Sequence, residues 1–143
     1  MFDYDVAYLG SGHSCWHGAL TLAAAGKKVI LMDHDLPGGT CTNYGCDAKI
    51  LLDGPFEFVE GLQRYQDVCV DEVGTIDWKK LMAYKKQHLT PFAEFIPGML
   101  KQNGMDFLRE RGKLLDAHTI QAGDRKITAE TIVLGVGQRN ARL

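Results

Sequence analysis

Val6-Ala7-Tyr8-Leu9-Gly10-Ser11-Gly12-His13-Ser14-Cys15, followed at a distance by Val29-Ile30-Leu31-Met32-Asp33, is the stretch that decides the fold. Val6 to Leu9 is an unbroken apolar run ending in glycine, the pattern of a short strand buried on both faces. Ser14 to Ala25 holds small and apolar residues and stops at Gly26, a common helix terminator. Val29 to Met32 reads as a second buried strand. Strand, helix and strand within about 30 residues make a βαβ unit, whose two strands run parallel because a crossover joins them.

Gly10-Ser11-Gly12-His13-Ser14-Cys15 fits G-x-G-x-x-G up to its last position, where Cys15 stands in place of glycine. Glycine pairs alone say little. Here the loop follows a strand, opens a helix and is followed by Asp33, 21 residues beyond Gly12, which completes a dinucleotide-binding fingerprint. Gly10 permits the tight turn, and Gly12 lets the backbone approach a diphosphate. The helix start adds unpaired N–H groups and a partial positive charge. Asp33 is placed to accept hydrogen bonds from adenosine ribose hydroxyls, whereas Asp35 lies in the loop beyond the strand. Cys15 puts a sulfur where the closest helix–strand packing asks for no side chain. His13 and His17 are read as solvent or packing residues without a role.

Composition narrows the class. The 143 residues carry 16 Lys+Arg and 18 Asp+Glu, a net charge of −2, with 45% hydrophobic residues, as expected of one globular domain. That balance offers no electrostatic footprint for nucleic acid and no basic run for an anionic membrane surface. No apolar segment reaches the roughly 18 residues of a membrane span. Met1-Phe2-Asp3-Tyr4-Asp5 is acidic where a secretory leader would be basic, so a cytoplasmic location is expected. Four cysteines in such a compartment point to reactive or inert thiols ahead of structural disulfides.

Further along, a helical stretch is expected from about Tyr44 to Tyr65, with Gly54-Pro55 as a candidate kink. Trp78 to Met99 shows a helical apolar stripe that Pro91 and Pro97 should bend or end. Strand-like segments then follow at 106–110, 114–121, 126–128 and 131–134, closing in Gly135-Val136-Gly137. This second half reads as core and scaffold, and neither His88 nor His118 is taken as a catalytic base.

Gly38-Gly39-Thr40-Cys41-Thr42-Asn43-Tyr44-Gly45-Cys46 is the most specific segment. Zinc would favour C-x-x-C and more ligands, so no metal is expected. Two unrelated buried cysteines are the other alternative to a redox-active pair. In a regular helix, residues five apart have Cα atoms about 8.6 Å apart, beyond the roughly 6.8 Å limit of a disulfide. A bonded pair therefore requires a distorted turn, which Asn43 and Gly45 suit. Cys46 falls near the start of a helix, with Lys49 one turn on, and both features lower a thiol pKa.

The run GGTCTNYGCDAK resembles the active-site segment G-G-T-C-x-N-x-G-C of the class I pyridine nucleotide-disulfide oxidoreductases: glutathione reductases, dihydrolipoamide dehydrogenases and mercuric reductases. The glycine loop stands where that family binds the ADP half of FAD. Asp33 stands where family members carry a ribose-binding acid, and the segment ending in Gly137 resembles the strand that closes near the flavin. The glutathione reductase branch looks nearest.

The resemblance implies an α/β fold: an FAD/NAD(P)-binding, Rossmann-like domain with a parallel sheet, helices and a small antiparallel β-meander. It implies Cys46 as the thiol lying against the flavin, Cys41 as the thiol that attacks substrate, and Lys49 near the flavin's reactive nitrogen. Cofactor contacts are implied for Gly10, Gly12, Ser14, Cys15, Asp33, His34, Gly39, Thr40, Gly45 and Gly137. Electrons would pass from NAD(P)H through FAD to a Cys41–Cys46 disulfide and on to a small-molecule disulfide.

Family members are roughly three times this length, so residues 1–143 are expected to be the N-terminal FAD-binding portion of a longer, homodimeric enzyme. The NAD(P)H-binding and dimerisation domains would lie elsewhere, leaving the portion inactive alone. A non-catalytic nucleotide-binding module, or another nucleotide enzyme with incidental cysteines, remains the alternative. Three departures are visible: Asp47-Ala48 where proline usually follows the second cysteine, Gly135-Val136-Gly137 in place of A-T-G, and Cys15.

Overall fold

The structure, a computed structural model, describes residues 1–138 and 141. It begins with the expected unit: β1 (Tyr4–Leu9), α1 (His13–Ala24) and β2 (Val29–Met32). β1 and β2 pair in parallel, with Val6 opposite Val29 and Leu9 opposite Met32. Gly26 ends α1 with a φ of 81°, and its N–H reaches the Ala23 carbonyl.

Four helices follow: α2 (Gly39–Asn43), α3 (Cys46–Gln63), α4 (Trp78–Leu89) and α5 (Phe92–Gln102). α3 runs unbroken through Pro55, so the interruption falls instead at Tyr44-Gly45, between the two cysteines. Pro91 ends the Trp78–Met99 stripe as two helices, while Pro97 is carried inside α5. Asp77 caps α4 by accepting the Lys80 N–H at 3.1 Å.

The chain then adds β3 (Asp106–Leu108), β4 (Gly112–Leu114), β5 (Thr119–Ala122) and β6 (Arg125–Leu134). All six strands form one sheet in the order β3-β2-β1-β6-β5-β4. β3, β2, β1 and β6 are mutually parallel, and β4-β5-β6 is the antiparallel meander. Two details differ from the sequence reading. The segment 114–121 is two strands, because Asp116 accepts the His118 N–H at 2.8 Å and turns the chain. The segments 126–128 and 131–134 are one strand, because β6 changes partner along its length: Arg125 to Thr128 pair with β5, and Ala129 to Leu134 pair with β1.

Alternation along β1 and β2 feeds two cores. Val6, Tyr8, Val29 and Leu31 meet α1 and α5 through Ala19, Ile96 and Leu100. Ala7, Leu9, Ile30 and Met32 face the other way and are covered by Ile120, Ala122 and Ile127 of the meander. That double covering is why the two strands read as solid apolar runs. Gly112 fits tightly here: any Cβ would run into Leu9 and the Met32 sulfur. This α/β arrangement leaves the strand ends of β1, β2 and β6 open on one edge, where ligands bind in such sheets.

Candidate functional site

At that edge lies a cavity of about 810 Å³, walled by the glycine loop, the end of β2, the start of α2, the β3–β4 turn and the segment after β6. Its floor is backbone. Gly10 has a φ of 115°, and a Cβ there would drive into the Gly135 carbonyl. A Cβ on Gly39 would stand 2.7 Å from the Gly12 Cα, so the glycine loop and the cysteine segment touch main chain to main chain. Gly12 and Gly38 form an isolated parallel bridge at the same place.

The first turn of α1 carries no acidic residue, and its N-cap Gly12 supplies no side-chain hydrogen bond. The Cys15 N–H already donates to the Gly12 carbonyl at 2.9 Å, so of the first turn it is the His13 and Ser14 N–H groups that can serve a ligand. Asp33 is only 15% exposed at its side chain. Its Oδ2 accepts the Ser11 N–H at 2.8 Å and the Ser11 hydroxyl at 2.7 Å, and its Oδ1 accepts the Asp35 N–H at 3.1 Å. Ser11 is fully buried, so it fixes the carboxylate at the cavity wall with lone-pair capacity remaining on Oδ1.

Cys15 is fully buried behind the glycine loop, and burial pushes its thiol up from the ordinary range. Its Sγ is 3.7 Å from the Gly135 carbonyl oxygen and occupies the space that a Gly135 side chain would need. The sulfur that crowds the fingerprint is accommodated by glycine at the end of β6. Two of the departures seen in the sequence are thus one packing arrangement.

The loop before α2 is held by Asn43, nearly buried, whose amide donates to the carbonyls of Pro37 at 3.0 Å and Gly39 at 2.9 Å. This presents Thr40 and Cys41 at the wall. Gly45 then packs its Cα against Cys41: a Cβ there would stand 3.2 Å from the Cys41 Cα and 3.0 Å from the Thr40 carbonyl. The turn so formed brings Cys46, the first residue of α3, back to Cys41. Both are free thiols, and the neighbouring Cys46 side chain is the largest influence raising the Cys41 pKa. Desolvation and charge on Cys46 add to it, the Cys46 backbone N–H works against it, and Asp47 contributes a smaller upward push.

Gly10, Gly12, Ser14, Asp33, His34, Gly39, Thr40, Cys41 and Gly137 therefore share one cavity wall. Cys15 lies just behind it, and Gly45 shapes the turn without lining it. Cys46 and Lys49 are exposed and stand off the wall. His13, read from the sequence as a solvent or packing residue, also lines the cavity, as do Tyr44, Glu110 and Arg111, which the sequence does not single out. His13 and Tyr44 sit inside the two motifs, so their positions carried the signal. Glu110 and Arg111 arrive only through the pairing of β3 with β2. Among the described residues no three His, Cys, Asp or Glu side chains gather to hold a metal, and no helix is long and apolar enough to cross a membrane.

The chain is 29% identical to a glutathione reductase of Nostoc sp. over 96% of its own length and 30% of that protein's. It is 24% identical to a dihydrolipoyl dehydrogenase of Acholeplasma laidlawii, covering 94% of this chain and 41% of the relative. A dihydrolipoamide dehydrogenase of Chaetomium thermophilum is 26% identical over 94% of this chain and 28% of the relative. The chain thus spans well under half the length of these relatives. The family model described as pyridine nucleotide-disulphide oxidoreductase matches residues 4–143, and the chain belongs to that family.

Proposed function

We propose that this chain is the FAD-binding portion of a glutathione reductase-like enzyme, in which Cys41 and Cys46 reduce a small-molecule disulfide at the expense of NAD(P)H. The observation that carries the reading is the position of Cys41: on the wall of the glycine-loop cavity, with Cys46 near enough across the Gly45 turn to be the main influence on its thiol. The residues fit a dinucleotide. The glycine floor brings main chain to the cavity because Cβ atoms at Gly10 and Gly39 would run into neighbouring backbone, and Asp33 is fixed on the wall for a ribose hydroxyl.

Bound FAD would supply the two-electron relay between NAD(P)H and the cysteines. The chain's own residues do the thiol chemistry. Cys41 as thiolate attacks one sulfur of the substrate, forming a mixed disulfide and releasing the first thiolate. Cys46 then attacks the Cys41 sulfur, releasing the second thiolate and leaving Cys41–Cys46 oxidised. Two electrons from NAD(P)H and a proton restore the dithiol. Lys49, exposed one turn beyond Cys46, would place its positive charge near the flavin's reactive nitrogen, the role the resemblance implies.

The test is the visible spectrum of the FAD-loaded protein on two-electron reduction. A long-wavelength thiolate-to-flavin band is expected, lost in Cys46→Ser and kept in Cys41→Ser. A parent protein with no such band is not this enzyme.

A further inference from the structure

His13 follows Gly12 directly and lines the same cavity. Both ring nitrogens are committed. Nε2 is 3.1 Å from Thr42 Oγ1, and Nδ1 is 3.1 Å from Nε2 of His17, one helical turn along α1. Thr42 is buried on α2 beside Cys41, and Trp16 stacks on the His17 ring at 3.6 Å. The imidazole is therefore held in place from both sides.

An N–H···N contact between two histidines has a particular property. It accepts one proton without losing either hydrogen bond: the bridging hydrogen is already present, and the added proton goes to an outward nitrogen. A second proton would set charge against charge across 3.1 Å. The pair is thus built for a single positive charge beside the glycine floor, where no acidic side chain of the α1 first turn neutralises it. The other charged or titratable groups on the cavity wall are Asp33, His34, Asp35, Cys41, Tyr44, Glu110 and Arg111. Among the other histidines, only His34 shares this wall, and it sits at the β2 end with its Nδ1 3.9 Å from Asp33.

We propose that the His13–His17 pair is a proton-linked binding element for the diphosphate of a dinucleotide in this cavity. It acts by charge, since both His13 nitrogens are already bonded within the protein. The inference rests on the cavity being the nucleotide site proposed above. Binding a doubly negative diphosphate favours the protonated pair, so affinity rises as pH falls through the imidazole range.

The experiment is a titration of the protein with FAD, whose phosphates keep a constant charge over the range, at about pH 6 and about pH 8 in equal salt. The dissociation constant is expected to be about fivefold lower at the acid end. His13→Gln, with His13→Asn as a second variant, should abolish that difference, and His34→Gln should retain it. An undiminished pH response in both His13 variants, or its loss in His34→Gln, overturns the inference while leaving the nucleotide site standing. Absence of FAD binding to the parent at either pH removes the site itself, and this inference with it.

Discussion

Cys15 and Gly135, 120 residues apart in sequence, share one space: the thiol of the first fills the position that a side chain on the second would take. The contact ties the start of α1 to the end of β6 directly behind the glycine loop. A sulfur in the fingerprint is tolerated because the facing strand gives way.

This coupling is measurable. Gly135→Ala in the parent should cost about 1–3 kcal/mol of stability through overpacking, and it should weaken nucleotide binding by shifting the Gly10 backbone. In a Cys15→Gly background the same change should be much less costly. Urea unfolding of both single variants and the double variant gives the coupling energy, expected at about 0.5–3 kcal/mol. Additive effects would show that the two positions do not compete for the same space.

Asp33 is fixed by Ser11 and faces the cavity. Asp33→Ala should weaken FAD binding about tenfold or more, the worth of a hydrogen bond to a charged acceptor. Ser11→Ala should have a smaller effect in the same direction, since the backbone N–H still holds Oδ2. Flavin retention on dialysis is the readout, and undiminished retention in Asp33→Ala removes Asp33 as the ribose ligand.

The Cys41 thiol is held above its usual range chiefly by the neighbouring Cys46 side chain, with Asp47 adding to the shift. A raised pKa means less thiolate at any pH below it. Cys46→Ala removes the partner that holds the Cys41 proton, so the Cys41 pKa falls and alkylation by iodoacetamide at neutral pH speeds up. Asp47→Asn should act in the same direction and less strongly. The pH dependence of the alkylation rate, followed by mass spectrometry at Cys41, reports both. A slower Cys41 in the Cys46→Ala protein would contradict the assigned cause.

Asn43 ties the Pro37 and Gly39 carbonyls to α2. Asn43→Ala leaves both acceptors short of a donor in a nearly closed site and should cost about 1–3 kcal/mol. Asn43→Asp should be worse, because a carboxylate presents lone pairs to carbonyl oxygens. Thermal unfolding distinguishes the two, and equal melting temperatures for all three proteins would mean that other contacts position the loop.

Much of this was legible in the sequence wherever spacing is local. The β1-α1-β2 unit follows from apolar runs, a glycine loop and Asp33 at a fixed offset. The break between the cysteines follows from Gly45 and the span of five residues. Long-range pairing was not legible. Nothing local in Arg125 to Leu134 says that one strand serves two partners of opposite direction, and nothing in Glu110-Arg111 says that the pair will face Gly10. His13 was visible as a residue, but its bond to Thr42 depends on α2 folding back over α1. The Cys15–Gly135 match needed both ends of the sheet at once.

The position of β6 has a consequence for how the molecule is made. It is the last of these six strands in chain order, yet it sits in the middle, between β1 and β5. Until residues 129–134 arrive, the flank of β1 is an open edge that invites pairing with another chain. Gly135, which seats the Cys15 sulfur, comes later still. A nascent chain stalled before this point is therefore expected to be sticky and empty-handed, and gains solubility and its binding pocket in the same late event.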